Sequence, residues 1–323
     1  MLKLLNRSFV ISLILITIFA FCACSAPEEQ SASAETASSA QAAASEPAEQ
    51  SSQALPSSSE INSIVALAPS LNETLVDLGL GDKIIGYDFE SEGIANLPED
   101  AERFDIVSPD LEQLISLSPD VVFVSGISFY DAENPYQPLE DAGITVIDIP
   151  TAQSVEEICT QITEIAAAAG VPEKGVQLNE ELASSLNKIR KRAEEIPDAE
   201  KKNVYFEISA APEMYSTGSG TYLNELIELI GAENILKDSD GWMPVSGEAV
   251  AAADPDVILT NVSYIDDPEG EILSRDGFSG ITAVKNGDVY YIDNRASSLP
   301  NENVAKAALE MAQAVYPEYF DEF

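Results

Sequence analysis

No histidine occurs anywhere in these 323 residues. That absence removes Ser-His and Cys-His nucleophiles, His-ligated zinc and imidazole acid–base chemistry. Positive charge is scarce as well: Lys and Arg total 16 against 56 Asp and Glu, for a formal charge of -40. Such an excess of acid is repelled by DNA, RNA and anionic lipid, and it favours neutral or cationic ligands. Only three Cys and one Trp are present. On the catalytic side, an enzyme built on carboxylates alone is what remains. Against these absences, 45% of the residues are apolar, enough to bury the core of one large or two modest domains.

The apolar run at the N-terminus reads as an address. Lys3 and Arg7 give a charged start, Ser8 to Ala23 are apolar, and a small residue precedes Cys24. That order predicts a signal peptide over residues 1–23 rather than a spanning helix. The stretch FCAC resembles a bacterial lipobox, with Phe21 where Leu is usual, so cleavage before Cys24 and acylation of its thiol are expected. Residues 24–60 then form the anchor and a tether. Ser25 to Ser59 are built from Ser, Ala, Glu, Gln and Pro, and Leu55 is their only large apolar side chain. The expected location is therefore outside the cell membrane, held to its outer face by lipid alone. After processing only Cys159 is left, so no intrachain disulfide forms. Its setting, EEICTQI, reads as an apolar helix face.

From Ile61 strands alternate with helices. SIVALAP predicts a strand, Ser70 caps a helix through Leu78, and KIIGY is a second strand. LEQLISL is a short helix, Val121 to Ser125 and Thr145 to Ile149 are strands, and Val155 to Ala169 is a helix. Pro172 to Glu195 has no internal Pro and carries Leu178, Leu182, Leu186 and Ile189 at helical spacing, with Pro172 suited to the first turn. Its reach is about 35 Å, longer than a usual crossover. Alternation then resumes: strand Val204 to Ile208, helices Thr221 to Ile230 and Gly247 to Ala253, strands Val257 to Val262 and Val289 to Ile292, and helix Glu302 to Val315. The pattern predicts an α/β fold of two lobes with mainly parallel sheets, joined by a single long helix. The corresponding boundaries are 61–170, 171–198 and 199–323.

The two lobes repeat one another. LEQLISLSPDVVF returns as GEAVAAADPDVIL, each with a Glu seven residues before Pro-Asp, and LNETLVDLG returns as LNELIELIG. Two matched pairs in matched order indicate an internal duplication. Glu112 and Glu248 open their helices, where a carboxylate meets the positive helix end. As a pair on equivalent sites they would also give a symmetrical partner two places to grip.

Taken together, IVALAPSLNETLVDLGLGDKIIG, PDLEQLISLSPDVVF, GSGTYLNELIELIGAENI and the spacing from Trp242 to Ile258 resemble the substrate-binding proteins of ABC importers for ferric siderophores and cobalamin. The resemblance runs from Ser63 to Tyr316. It implies the class III periplasmic-binding-protein fold, a monomer without a cofactor or resident metal, and no enzymatic activity. It also implies an ABC permease dimer with its ATPase subunits as partner, docked by Glu112 and Glu248.

In open α/β sheets ligands sit beyond the carboxyl ends of the strands. That rule selects Tyr87, Asp88, Phe89, Phe129, Tyr130, Glu207, Tyr215, Trp242, Tyr264 and Arg295 as candidate ligand contacts. Their aromatic content suits a broad metal chelate or corrinoid. By the resemblance, Trp242 aligns with a corrin-contacting aromatic. Carboxylate siderophores and haem propionates call for Arg or Lys, and only Arg295 is on offer, so a neutral hydroxamate chelate or a corrinoid fits better. The competing readings are a carboxylate-based surface enzyme, for which Asp88 and Glu207 are the available acids, and a ligand sensor on the same scaffold.

Overall fold

A computed structural model describes residues 60–126, 135–321 and 323. The expected leader, the tether with Cys24, and the candidate contacts Phe129 and Tyr130 lie outside the described residues. The first lobe runs β1 (Ile64–Ala66), α1 (Pro69–Asp77), β2 (Ile84–Asp88), β3 (Glu102–Phe104), α2 (Leu111–Leu117), β4 (Val121–Val124), α3 (Gln137–Asp141), β5 (Thr145–Asp148) and α4 (Val155–Ala168). Helix α5 (Pro172–Ala193) follows. The second lobe runs β6 (Asn203–Glu207), β7 (Tyr215–Thr217), α6 (Tyr222–Leu229), β8 (Glu233–Asn234), β9 (Trp242–Pro244), α7 (Gly247–Ala253), β10 (Val257–Thr260), α8 (Pro268–Ser274), α9 (Thr282–Asn286), β11 (Val289–Tyr291), α10 (Asn294–Ser298), α11 (Val304–Val315) and α12 (Pro317–Phe320).

Each lobe has a parallel sheet, ordered β3-β2-β1-β4-β5 in the first and β11-β10-β6-β8 in the second. The strands β1, β4 and β10 are buried along their whole length. Period-two side-chain alternation divides them between two cores. Ile64, Ala66, Val121 and Phe123 face α1 and α4, whereas Val65, Val122 and Val124 face α2 and α3. In the second lobe Val204, Phe206, Val257 and Leu259 face α5, α6 and α11, while Tyr205 and Ile258 face the other way. The expected two-lobed parallel α/β fold is what forms.

The duplicated unit is equivalent down to its backbone. Helices α2 and α7 are each seven residues long, capped at the start by the side chains of Asp110 and Ser246. Both end on a left-handed residue, Ser118 at φ 49° and Asp254 at φ 47°, just before the proline. The Asp after each proline then holds the strand beside it. Asp120 Oδ2 accepts from the amides of Asn62 (2.8 Å) and Ser63 (3.0 Å) ahead of β1. Asp256 Oδ2 accepts from the amide of Asn203 (2.9 Å) at the start of β6. These amide donors hold the Asp120 carboxyl below the usual carboxylate range. Pro-Asp is therefore repeated because each copy ties two parallel strands together at their N-terminal ends.

Helix α5 spans 22 residues, about 33 Å at 1.5 Å per residue. It does not stand alone. Helix α4 packs against it, and its own length belongs to both lobes: Ile158 and Ile162 join the second lobe's core, while Ile165, Ala166 and Ala168 join the first. The close approach depends on Gly175, where an added Cβ would stand 2.5 Å from Ala166 Cβ and 3.3 Å from the Ile162 carbonyl. Lys174 Nζ donates to the Leu78 carbonyl (2.7 Å) at the end of α1, fixing the start of α5 to the first lobe.

Several element ends differ from expectation by one or two residues, and two helix starts differ for a physical reason. Ser70 does not cap α1; the helix starts at Pro69 after Ala68, with no side-chain cap. Helix α11 begins at Val304 rather than Glu302, because Asn301 and Glu302 bond instead to α1. If the α4–α5 approach is set by Gly175, Gly175→Val should lower unfolding stability by about 1–3 kcal/mol through overpacking. Urea titration followed by circular dichroism measures this, and a stability equal to the parent would show that the helices can separate freely.

Candidate functional site

The carboxyl ends of both sheets bring most of the described candidates together, but at different depths. Tyr87, at the end of β2, is buried, with the Arg103 guanidinium 4.1 Å from its ring centroid. Asp88 has no solvent exposure and accepts from Asn72 Nδ2 (3.0 Å) and Ser91 Oγ (2.6 Å). Burial pushes its carboxyl up to about 6, although the Ser91 hydrogen bond opposes that rise. Phe89, the next residue, is 52% exposed. One residue along the chain thus separates a buried acid from an exposed ring.

The second lobe shows the same layering. Glu207, at the end of β6, is buried and paired with Arg275 through two hydrogen bonds of 2.6 and 2.8 Å. Burial pushes this carboxyl up and the guanidinium pulls it back. Arg275 also bonds Glu271 and lies 4.8 Å from the Phe278 ring centroid. The same lobe also carries rings with access to solvent. The Tyr215 hydroxyl donates to the Trp242 carbonyl (3.3 Å), and the Trp242 ring tilts against Tyr222 at 5.6 Å. Tyr264 is 56% exposed, and its hydroxyl accepts from the Ala210 amide (2.9 Å).

Tyr87, Asp88 and Glu207 therefore lie under the strand ends as packing and hydrogen-bonding groups, and burial removes them from a ligand's reach. Asp88 and Glu207 also belong to separate networks, so they do not converge as an acid pair. Phe89, Tyr215, Trp242 and Tyr264 keep exposed surface. Arg295 is partly exposed but occupied: it reaches Glu73 Oε1 at 3.2 Å and the carbonyls of Glu90 (3.2 Å) and Glu92 (3.3 Å). Those partners are on the first lobe, so Arg295 ties the lobes at the β2 and β11 side. At the β5 and β9 side Trp242 Nε1 donates to Gln153 Oε1 at 2.8 Å, again from lobe to lobe.

Gln153, Glu73 and Arg275 were not among the sequence candidates. Gln and Glu on loops or helices carry no pattern of their own, and Arg275 finds Glu207 across 68 positions of chain. A cavity of about 450 Å³ exists beside α5, lined by Val155, Leu186, Arg190 and Glu225 among others, away from the strand ends. Among the described residues no group of three or more Cys, Asp or Glu could hold a metal ion. Among them, too, no helix is long and apolar enough to cross a membrane. Glu112 and Glu248 are exposed, each in the first turn of its helix, and neither carboxylate makes a hydrogen bond or ion pair among the described residues.

Residues 64–296 match the periplasmic binding protein family, and the chain belongs to it. An ABC transporter substrate-binding lipoprotein of Bacillus subtilis is 33% identical over 263 residues, covering 81% of this chain and 82% of that one. A vitamin B12-binding protein of Yersinia pestis is 27% identical over 207 residues, covering 61% of this chain and 69% of the relative. Among solved structures, a possible iron-binding periplasmic solute-binding protein of Staphylococcus epidermidis superposes with a TM-score of 0.71 at 25% identity, over 80% of this chain and all of that one. The resemblance read from the repeated motifs to the solute-binding proteins of ABC importers is borne out, as is the two-lobed parallel fold.

Burial of Asp88 has a measurable consequence. Its folded-state pKa of about 6 exceeds the unsupported value of 3.8, so the folded protein holds this proton more tightly than the unfolded chain. The resulting stabilisation is fully present below pH 4 and is lost as pH rises through 6, a change of about 3 kcal/mol. Asp77 and Glu302, both raised by burial, act in the same direction. Thermal unfolding from pH 4 to 7 should therefore fall more steeply for the parent than for Asp88→Asn. Parallel profiles would show that Asp88 ionises normally.

Proposed function

We propose that this chain is the capturing component of an ABC importer, anchored by a lipid at Cys24 to the outer face of the cell membrane. It takes a neutral or cationic metal chelate or a corrinoid between its lobes and delivers it to a permease dimer. The observation that carries the reading is the matched pair of carboxylates without a partner among the described residues. Glu112 and Glu248 sit at the second position of two seven-residue helices, one on each lobe, with identical left-handed ends. A carboxylate with no partner of its own contributes little to folding, whereas two at equivalent places suit a two-fold partner with basic pockets.

The ligand class follows from which groups near the strand ends are free. Phe89, Tyr215, Trp242 and Tyr264 offer rings, while Arg103, Arg275 and Arg295 are already engaged by Tyr87, Glu207 and Glu73. An anionic ligand would have to compete for those cations within a strongly acidic molecule. A neutral chelate or a corrinoid meets no such competition. Binding rather than catalysis is the role, since the acids at the strand ends are buried and separately paired.

Two measurements test this. Replacing Glu112 and Glu248 together with Ala should leave folding and ligand affinity within about 0.5 kcal/mol. The same variant should nearly eliminate uptake in cells with the cognate permease, since each lost acid leaves a desolvated arginine unpaired at about 2–5 kcal/mol. Normal uptake by the double variant would return both residues to a helix-start role. Separately, Trp242→Ala should weaken ligand binding by about 1–3 kcal/mol. Because Trp242 is the single Trp, its fluorescence should respond to ligand in the parent. Unchanged affinity together with silent fluorescence would place the ring outside the binding surface.

A further inference from the structure

The second duplicated segment, LNE, occupies α1 in the first lobe and α6 in the second, and its glutamates do the same thing in opposite directions. Glu73 on α1 crosses to the second lobe. Its Oε2 accepts from Asn301 Nδ2 (2.8 Å) and Asn303 Nδ2 (3.2 Å), in the turn that leads into α11, and its Oε1 meets Arg295. Glu225 on α6 reaches the start of α4, the end of that helix that packs with the second lobe's core while its other end packs with the first. Its Oε2 accepts from the backbone amide of Val155 (2.9 Å), the first residue of α4. Each acid thus leaves the first helix of its own lobe and ends at the N-terminus of the long helix that follows the other lobe's last strand. At α4 the donor is the amide of the first helical residue, where the positive helix end favours a carboxylate. Ahead of α11 the donors are the side chains of Asn301, Asn303 and Arg295.

We propose that Glu73 and Glu225 are a duplicated pair of positioning residues that hold the two lobes at a fixed separation, and with it the width of the cleft between the strand ends. The functional meaning of that width rests on the capture role proposed above; the clasp itself does not. Helices α4 and α11 both pack on α5, so the two clasps act on the helices that flank the connecting helix. The Glu73 side is reinforced by a buried bond from Thr74 Oγ1 to Glu302 Oε2 at 2.8 Å, also between lobes. Spreading the lobes would strip Glu73 of three donors, and it would pull α4, whose first turn Glu225 holds against the second lobe, away from one of the two cores it joins. A connecting helix alone can bend; a helix held on both flanks by reciprocal bonds cannot do so without breaking them.

Spin labels on the full-length chain test this directly, with its three native cysteines replaced by serine. Ser116→Cys on α2 and Ala252→Cys on α7 are exposed, equivalent positions, one per lobe. Their distance distribution in ligand-free protein should be narrow in the parent and about twofold broader, or shifted, in Glu73→Ala with Glu225→Ala. A pair within the first lobe, Ser116→Cys with Glu164→Cys, should keep its native width in the same variant. Glu225→Gln, whose amide oxygen still accepts from the Val155 amide, should stay near the parent, whereas Glu73→Gln keeps only one of two accepting oxygens and should broaden less than the Ala pair. If the Ala pair does not fold, Asn301→Ala with Asn303→Ala removes two donors from the opposite side and should broaden the interlobe distance instead. A native interlobe distribution in a folded Ala or Asn variant would overturn the proposal. So would broadening of the within-lobe pair, or Gln variants as broad as Ala. Because no ligand or permease is present, this outcome is independent of uptake and ligand titration.

Discussion

The contact between α4 and α5 is the constraint on which the rest of the structure depends. Two parallel sheets, each covered on both faces, could exist as separate bodies connected by one helix. What makes them a single object is that α4 divides its apolar residues between the two cores. Ile158 and Ile162 are buried with the second lobe, Ile165 and Ala166 with the first. That division works only if α4 lies tight against α5, and Gly175 is the residue that permits it. A side chain there would widen the joint from which both cores are built. The rigidity of the connection is therefore a property of a packed helix pair, not of the length of α5.

The duplication is preserved unequally, and the pattern of preservation is informative. Features that hold a lobe together are kept in both copies: the Pro-Asp clamp on strands β1 and β6, and the left-handed ends of α2 and α7. Asn72 and Asn224 have diverged in detail while keeping a buried polar role. Asn72 bonds Asp88, Ser91 and two carbonyls, whereas Asn224 bonds Asn234 and Glu228. The strand ends have diverged most. One lobe buries a lone acid at Asp88, the other a bidentate pair at Glu207 and Arg275. On the proposed capture role, a ligand between the lobes would meet two dissimilar walls carried on two similar frames.

What could be read from the sequence was whatever repeats locally. Strands such as Val121–Val124 and Val257–Thr260 are buried on both faces, so they stand out as apolar runs, and α5 announces itself by helical spacing over 22 residues. The strands β3, β7 and β9 are three residues each, too short for any period to show. At the strand ends, the rule that ligands lie beyond them selected residues by position along the chain, which says nothing of their depth. Tyr87, Asp88 and Phe89 are consecutive, and only Phe89 is exposed, because Asn72 and Ser91 draw Asp88 inward. Arg295 looked like a free cation because its partner Glu73 lies 222 positions away. Depth and pairing are set by such distant partners, which local pattern cannot reveal.

A cleft of fixed width restricts how a ligand can be selected. A protein that closes over its ligand can reject a wrong one by failing to close. A cleft whose lobes are bonded to each other at Arg295 on one side and at Trp242 and Gln153 on the other must discriminate with the walls as they stand, by shape and by charge. Here the charge half of that discrimination is largely spent inside the protein. The arginines near the strand ends are committed to Glu73, Glu207 and Tyr87, and the whole chain carries a formal charge of -40. An anionic group entering such a cleft would have to break an existing pair before forming its own, and would leave a carboxylate behind without its cation. Of these pairs only Arg295 with Glu73 joins the lobes, so on the proposed capture role that one pair would serve both lobe spacing and charge selection. Arg275 with Glu207 and Arg103 with Tyr87 would serve charge selection within their own lobes.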